Sequence, residues 1–179
     1  MRYVKGIQEL QALLDGADVV RTRSVEGRAT LADFLAAMFA YRPGLVRFLY
    51  RLRAGLVRLI GIRQHPLPDM DEWLPPDVPM LACGNIWYFS VSMAAEGRYW
   101  IGCCPAERHL TGFMGVVVQP LGNDRNRFHM ITIVHYKHWT GRLYFWLISP
   151  LNLFFMNRLA RAGLRGGPHG HAGGRSTVP

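Results

Sequence analysis

The residues with the widest chemical reach sit late in the chain. They are the triplet Glu107-Arg108-His109, three further histidines at His129, His135 and His138, and the adjacent thiols Cys103 and Cys104. A carboxylate, a guanidinium and an imidazole in succession offer an acid, an anion-binding fork and a group that titrates near neutrality. The triplet is therefore the candidate polar rim of a site, and also fits a turn held by an Arg–carboxylate hydrogen bond. Other chemistries fail on spacing. No G-x-S-x-G elbow is present, and from Val78 onward the only acids are Glu96, Glu107 and Asp124, too few to orient several histidines. His135 and His138 are three apart in a strand pattern, so they face opposite ways. His109 and His129 are expected to approach across strands, but two histidines leave a metal short of ligands. No metal or cofactor is expected, and catalytic residues stay unassigned. The two thiols lack C-x-x-C spacing; with Cys83 they read as buried free cysteines rather than a disulfide framework.

The elements that must position these groups converge on one stretch, 126–162. Its first half, RFHMITIVHYKH, alternates with period two, which predicts a half-buried strand with Phe128, Met130, Thr132, Val134 and Tyr136 inward. Its second half predicts a long helix. Tyr144, Ile148, Leu151, Phe155 and Leu159 form one stripe, expected to be the face gripped by the sheet. Leu143, Leu147, Pro150 and Phe154 form another, which predicts burial on two sides. Pro150 should kink the helix, and the apolar run, broken by Ser149 and Asn152, is too short to span a membrane.

Earlier, Ile7, Leu10 and Leu14 mark a short helix, and 17–25 reads as the first strand. Thr30 and Asp33 form a capping box for a helix burying Leu31, Phe34, Leu35, Met38 and Phe39. A basic amphipathic helix follows at 45–60, with Arg47, Arg51 and Arg58 opposite a leucine face. The stretch 64–80, with five prolines and Trp73, is a loop. Strands then recur at about 85–93, 98–103, 110–119 and 127–137, with turns at Gly97 and Gly122-Asn123-Asp124. On 110–119 the inward set is Leu110, Gly112, Met114, Val116 and Val118. Residues 1–163 make a single domain and 164–179 a disordered Gly-rich tail. The order of elements gives an α+β fold, helices on one face of an antiparallel sheet.

Half the 179 residues are hydrophobic, enough for a sizeable core, and 21 Lys and Arg outnumber 12 acids. The excess favours an anionic partner such as an acidic lipid surface or anionic ligand; nucleic acid is not expected. No secretory signal is visible at the start, and a cytoplasmic location, peripheral to the membrane if the 45–60 helix binds it, is the expectation.

Three stretches together resemble a known family. LLDGADVVRTRSV is similar to the opening of the bacterial domain-of-unknown-function family 2867. IGCCPAERHL is similar to its Gly-x-x-D-[D/E]-R-H-L turn, through Gly102, Glu107, Arg108, His109 and Leu110. TGRLYFWLISPLNLFFMNRLAR is similar to its closing G-R-x-Y-x-x-x-I-x-P helix, through Gly141, Arg142, Tyr144, Ile148 and Pro150. The chain departs from the pattern at Cys103-Cys104 and at Gly112, where a larger apolar residue is usual. The resemblance implies the START-like, helix-grip superfamily: a curved antiparallel sheet gripping a long C-terminal helix, with a cavity between. Candidate lining residues are Trp87, Phe89, Trp100, Gly112, Met114, Met130, Tyr144 and Ile148, with Glu107, Arg108 and His109 at the rim. The expected function is a non-catalytic module for a small hydrophobic or amphipathic ligand. The alternatives are a cyclase- or isomerase-like enzyme with His109 or Glu107 as acid or base, and a lipid-associated protein using Arg47, Arg51 and Arg58. The sequence does not set the oligomeric state.

Overall fold

Period-two alternation and well-placed turn residues fold the second half of the chain into an antiparallel sheet. In the computed structural model, residues 2–40, 55, 85–86, 89–104 and 109–165 are described. They form α1 (Arg2–Lys5), α2 (Gln8–Leu14), β1 (Val19–Gly27), α3 (Leu31–Ala40), β2 (Asn85–Ile86), β3 (Phe89–Ala95), β4 (Tyr99–Cys103), β5 (Leu110–Gly122), β6 (Arg125–Tyr136) and α4 (Trp139–Arg165). The six-stranded sheet runs β1-β6-β5-β4-β3-β2, so the first strand pairs with the last and β1 forms an edge. Gly97 (φ 66°) turns β3 into β4, and Gly122, Asn123 and Asp124 (φ 84°, 51° and 55°) turn β5 into β6, which is why residues tolerant of positive φ stand there.

The predicted capping box is present. The Asp33 backbone N–H donates to Thr30 Oγ1 (3.2 Å), and the Thr30 hydroxyl donates to Asp33 Oδ2 (2.7 Å). The helix it starts buries Leu31, Phe34, Leu35, Met38 and Phe39, as the apolar spacing indicates. The Phe34 ring stacks on Phe128 of β6 with centroids 4.2 Å apart, and Gly163 of α4 lets the same ring lie directly against the helix backbone.

Helices cover both faces of the sheet, not one. α3 and the C-terminal half of α4 pack on Phe89, Trp100, Met114, Val116, Val118, Phe128 and Met130. On the reverse face Val4, Ile7 and Leu10 of the N-terminal segment cover Tyr99, Ile101, Val117, Ile131 and Ile133. This explains why the β6 alternation is blurred: Ile131 and Ile133 point away from α4 yet are fully buried, because α1 and α2 roof them.

α4 differs from its expected phase. Tyr144 and Leu159 are buried, but Ile148, Leu151 and Phe155 are only half-buried; the burial passes instead to Phe145, Ser149, Met156, Ala160 and Gly163. The second apolar side is not buried at all along Leu143, Pro150 and Phe154, which are exposed. The helix continues through Pro150 and on to Arg165, with Leu164 half-buried against the core and close to Gly27. Apart from residue 55, the 45–60 helix lies outside the described residues, as do the 64–80 loop, Trp73, Cys83 and the tail beyond 165.

Candidate functional site

Residues directly opposite in paired strands share a face, so register alone lays out the surface under α4. One row runs Arg21, Thr132, Met114, Gly102 across β1, β6, β5 and β4, and the next runs Arg23, Met130, Val116, Trp100. Trp100 is fully buried, with Phe39 and Phe89 edge-to-face on it at 5.3 and 6.3 Å. The space for its indole comes from Gly102: a β-carbon there would sit 2.6 Å from Trp100 Cη2 and 2.9 Å from Phe89 Cβ. Yet Trp100 Nε1 is buried with no hydrogen-bond partner among the described residues. So is Arg21 Nη1, whose guanidinium carbon lies 5.3 Å from the centre of the Phe145 ring of α4. Orphaned buried donors are rare and cost about 1–3 kcal/mol each, so two in one sheet–helix layer are informative.

At the other end of α4 two of the motif stretches meet. The His109 carbonyl accepts hydrogen bonds from the Lys137 (2.9 Å) and His138 (3.3 Å) backbone N–H groups, and His109 Nδ1 is hydrogen-bonded to the Thr140 hydroxyl (2.9 Å). A β-carbon on Gly141 would run into that same carbonyl. Glycine there lets the start of α4 lie on the start of β5. The next residues, Leu110, Tyr144 and Phe145, close a small cluster over Val134, with Ile148 packed against it. His109 is thus a junction residue, at the far end of the β5–β6 pair from His129, which faces Val117. The two histidines do not meet across strands. Among the described residues no group of three or more His, Cys, Asp or Glu is placed to hold a metal ion.

The candidate lining residues fall into two sets. Phe89, Trp100, Met114 and Met130 lie together in the main core, whereas Tyr144 and Ile148 lie in the junction cluster. Gly112 does not open onto empty space: a β-carbon there would meet Cys104 Sγ at 3.5 Å, and the Cys104 N–H donates to the Gly112 carbonyl at 2.8 Å. The two departures from the family pattern, the cysteine pair and Gly112, therefore pack against each other. Burial pushes the neighbouring Cys103 thiol up from its ordinary range, and it donates to the Cys104 carbonyl (3.2 Å). Trp87, Glu107 and Arg108 lie outside the described residues. The sequence reading missed Arg21, although an arginine in the Val19, Arg21, Arg23, Val25 set of a half-buried strand is a visible signal.

A third polar feature lies on the reverse face. His129 is buried between Ser24 Oγ (2.7 Å, on Nδ1) and Gln119 Oε1 (3.0 Å, on Nε2), with the Tyr3 ring stacked at 5.8 Å. Burial holds its imidazole below its usual pKa, helped by the N-terminal amine and Arg127. Its hydrogen bonds tie β1, β5 and β6 together, a structural role.

An antiparallel sheet crossed by a long C-terminal helix, with the first strand paired to the last, is an α+β helix-grip architecture. The chain belongs to the family described as a protein of unknown function, DUF2867, whose model matches residues 12–158. Compared by sequence, no curated protein matches it. Among solved structures it is similar to a truncated norcoclaurine synthase from Thalictrum flavum, at 15% identity and TM-score 0.38, over 79% of this chain and 90% of that one. It is also similar to a START superfamily protein from Mycobacterium smegmatis, at 12% identity and TM-score 0.36, over 82% and 97%. Likeness at this level leaves ligand and activity open.

Proposed function

We propose that the protein binds a small amphipathic molecule between the sheet and α4, without turning it over. The observation that carries this is the Trp100 Nε1–H: a donor in a fully buried aromatic cluster, aimed at no acceptor among the described residues. A ligand with an apolar body and an acceptor oxygen relieves that cost while burying its own surface. The Arg21 guanidinium, three strands away, adds a preference for a ligand with an acidic group. A cyclase- or isomerase-like reaction is less well supported, because His109 is engaged by Thr140 and by the start of α4. Cysteines without a disulfide framework favour a cytoplasmic location.

The test uses 1-anilinonaphthalene-8-sulfonate, an anionic apolar probe, with the folded protein and with Trp100→Phe. The variant keeps an aromatic ring of smaller size and drops the donor. Probe affinity should fall at least about fivefold, the worth of one hydrogen bond, while Tm falls modestly because the smaller ring leaves a void beside Gly102. Equal affinity for both proteins, or no binding to the folded chain, contradicts the reading.

A further inference from the structure

The outward face of α4 is apolar where a surface helix is ordinarily polar. Trp139 is 76% exposed, Trp146 72%, Leu153 48%, Leu143 45% and Phe154 41%. With the exposed Pro150, positions 139, 143, 146, 150 and 153 are spaced 4, 3, 4 and 3, which puts them in one line along the helix. The line is about 21 Å long at 1.5 Å per residue.

The charge of the helix itself is one-sided, with Asp18 Oδ1 3.9 Å from Arg142 near its start. Arg142, Arg158, Arg161 and Arg165 are all exposed, and the 27 residues of α4 include no acid. Arg142 flanks the apolar line, Arg158 lies over the Phe154 ring at 5.2 Å, and Arg161 and Arg165 continue the same side beyond it. No helix among the described residues is long and apolar enough to cross a membrane. A tryptophan- and leucine-lined helix edged with arginine and free of acids has the chemistry of a helix lying flat in the headgroup layer of an anionic bilayer. There the indoles sit at the interface and the guanidiniums pair with phosphates.

We propose that the outer face of α4 docks the protein on an anionic lipid surface. A second copy of the chain is the competing occupant, and charge disfavours it: two such faces would bring four arginines from each copy together with no acid on either helix. The docking stands apart from the interior ligand reading, because it uses only side chains that point away from the sheet.

The experiment is co-sedimentation of the full chain with phosphatidylcholine vesicles, with and without phosphatidylglycerol. Binding should require the anionic lipid and weaken with added salt. Arg158→Gln with Arg161→Gln should lower the partition coefficient about fivefold per arginine. Trp139→Ser with Trp146→Ser should lower it at least about tenfold while leaving Tm unchanged, since both indoles stand in solvent. Wild-type protein that ignores anionic vesicles overturns the proposal. So does a tryptophan pair variant that dissociates a dimer in sedimentation velocity yet binds vesicles as before.

Discussion

Burial without partners, or with too specific a set of them, marks the informative single residues. His129 is the clearest for stability. Its folded-state pKa lies below the ordinary 6.5, because burial disfavours the charged ring. As pH falls, the unfolded chain therefore takes up the proton first, so stability is fully present above about pH 6.5 and declines on acidification below it. Glu26, whose carboxyl is held low by the Arg127 guanidinium, adds a loss that begins only below its ordinary 4.5. Thermal melts across the first window should show a falling Tm for the wild type and a flatter profile for His129→Gln; parallel profiles would refute the assignment. Little of this was legible beforehand. Histidines in a strand pattern announce themselves, but which face they meet depends on what covers it, and α1 and α2 gave too short a pattern to predict a roof over the second face. Trp100 and Gly102 were each visible as residue types; that one makes room for the other appears only once β4 is folded.

Among the elements, α4 shows both the reach and the limit of periodicity. Its existence, its packing on the sheet, and the burial of Tyr144 and Leu159 follow from apolar spacing. Its phase does not, because it is apolar nearly all round, and nothing in such a pattern says which line faces the sheet. Small residues decided it: Gly141, Ser149, Ala160 and Gly163 lie on the buried side, where close approach excludes larger ones. Two matched substitutions check this phase. Leu159→Asp should cost more than about 3 kcal/mol, since it buries an unpaired carboxylate in the main core. Leu153→Asp, at a position 48% exposed, should stay within about 1 kcal/mol of wild type in chemical denaturation. Equal losses would mean that the outer line of α4 is covered after all. β6 makes the opposite point: its alternation, though blurred by Ile131 and Ile133, still picked the inward set, with Phe128, Met130 and Val134 on the α4 side.

At the scale of the molecule, one sheet serves two cores. On the reverse face, closed by the N-terminal helices, the polar side chains have partners: His129 is hydrogen-bonded to Ser24 and Gln119, and His135 to the Leu13 carbonyl. The α4 face holds the orphaned donors of Trp100 and Arg21 and the junction where the His109 stretch and the Gly141 helix start meet. The orphaned donors favour the α4 side for the proposed ligand. The helix-grip order was readable from the sequence of elements and from three motif stretches. The ligand proposed for the α4 face was not, because the side chains it would meet come from separate elements that no local pattern relates. The most direct measurement is native mass spectrometry of the full chain purified from its own host under mild conditions. The account predicts an added mass of a few hundred daltons that organic extraction removes, belonging to an apolar molecule with an acidic or carbonyl oxygen. A bare chain mass, together with no probe binding by the folded protein, would contradict it.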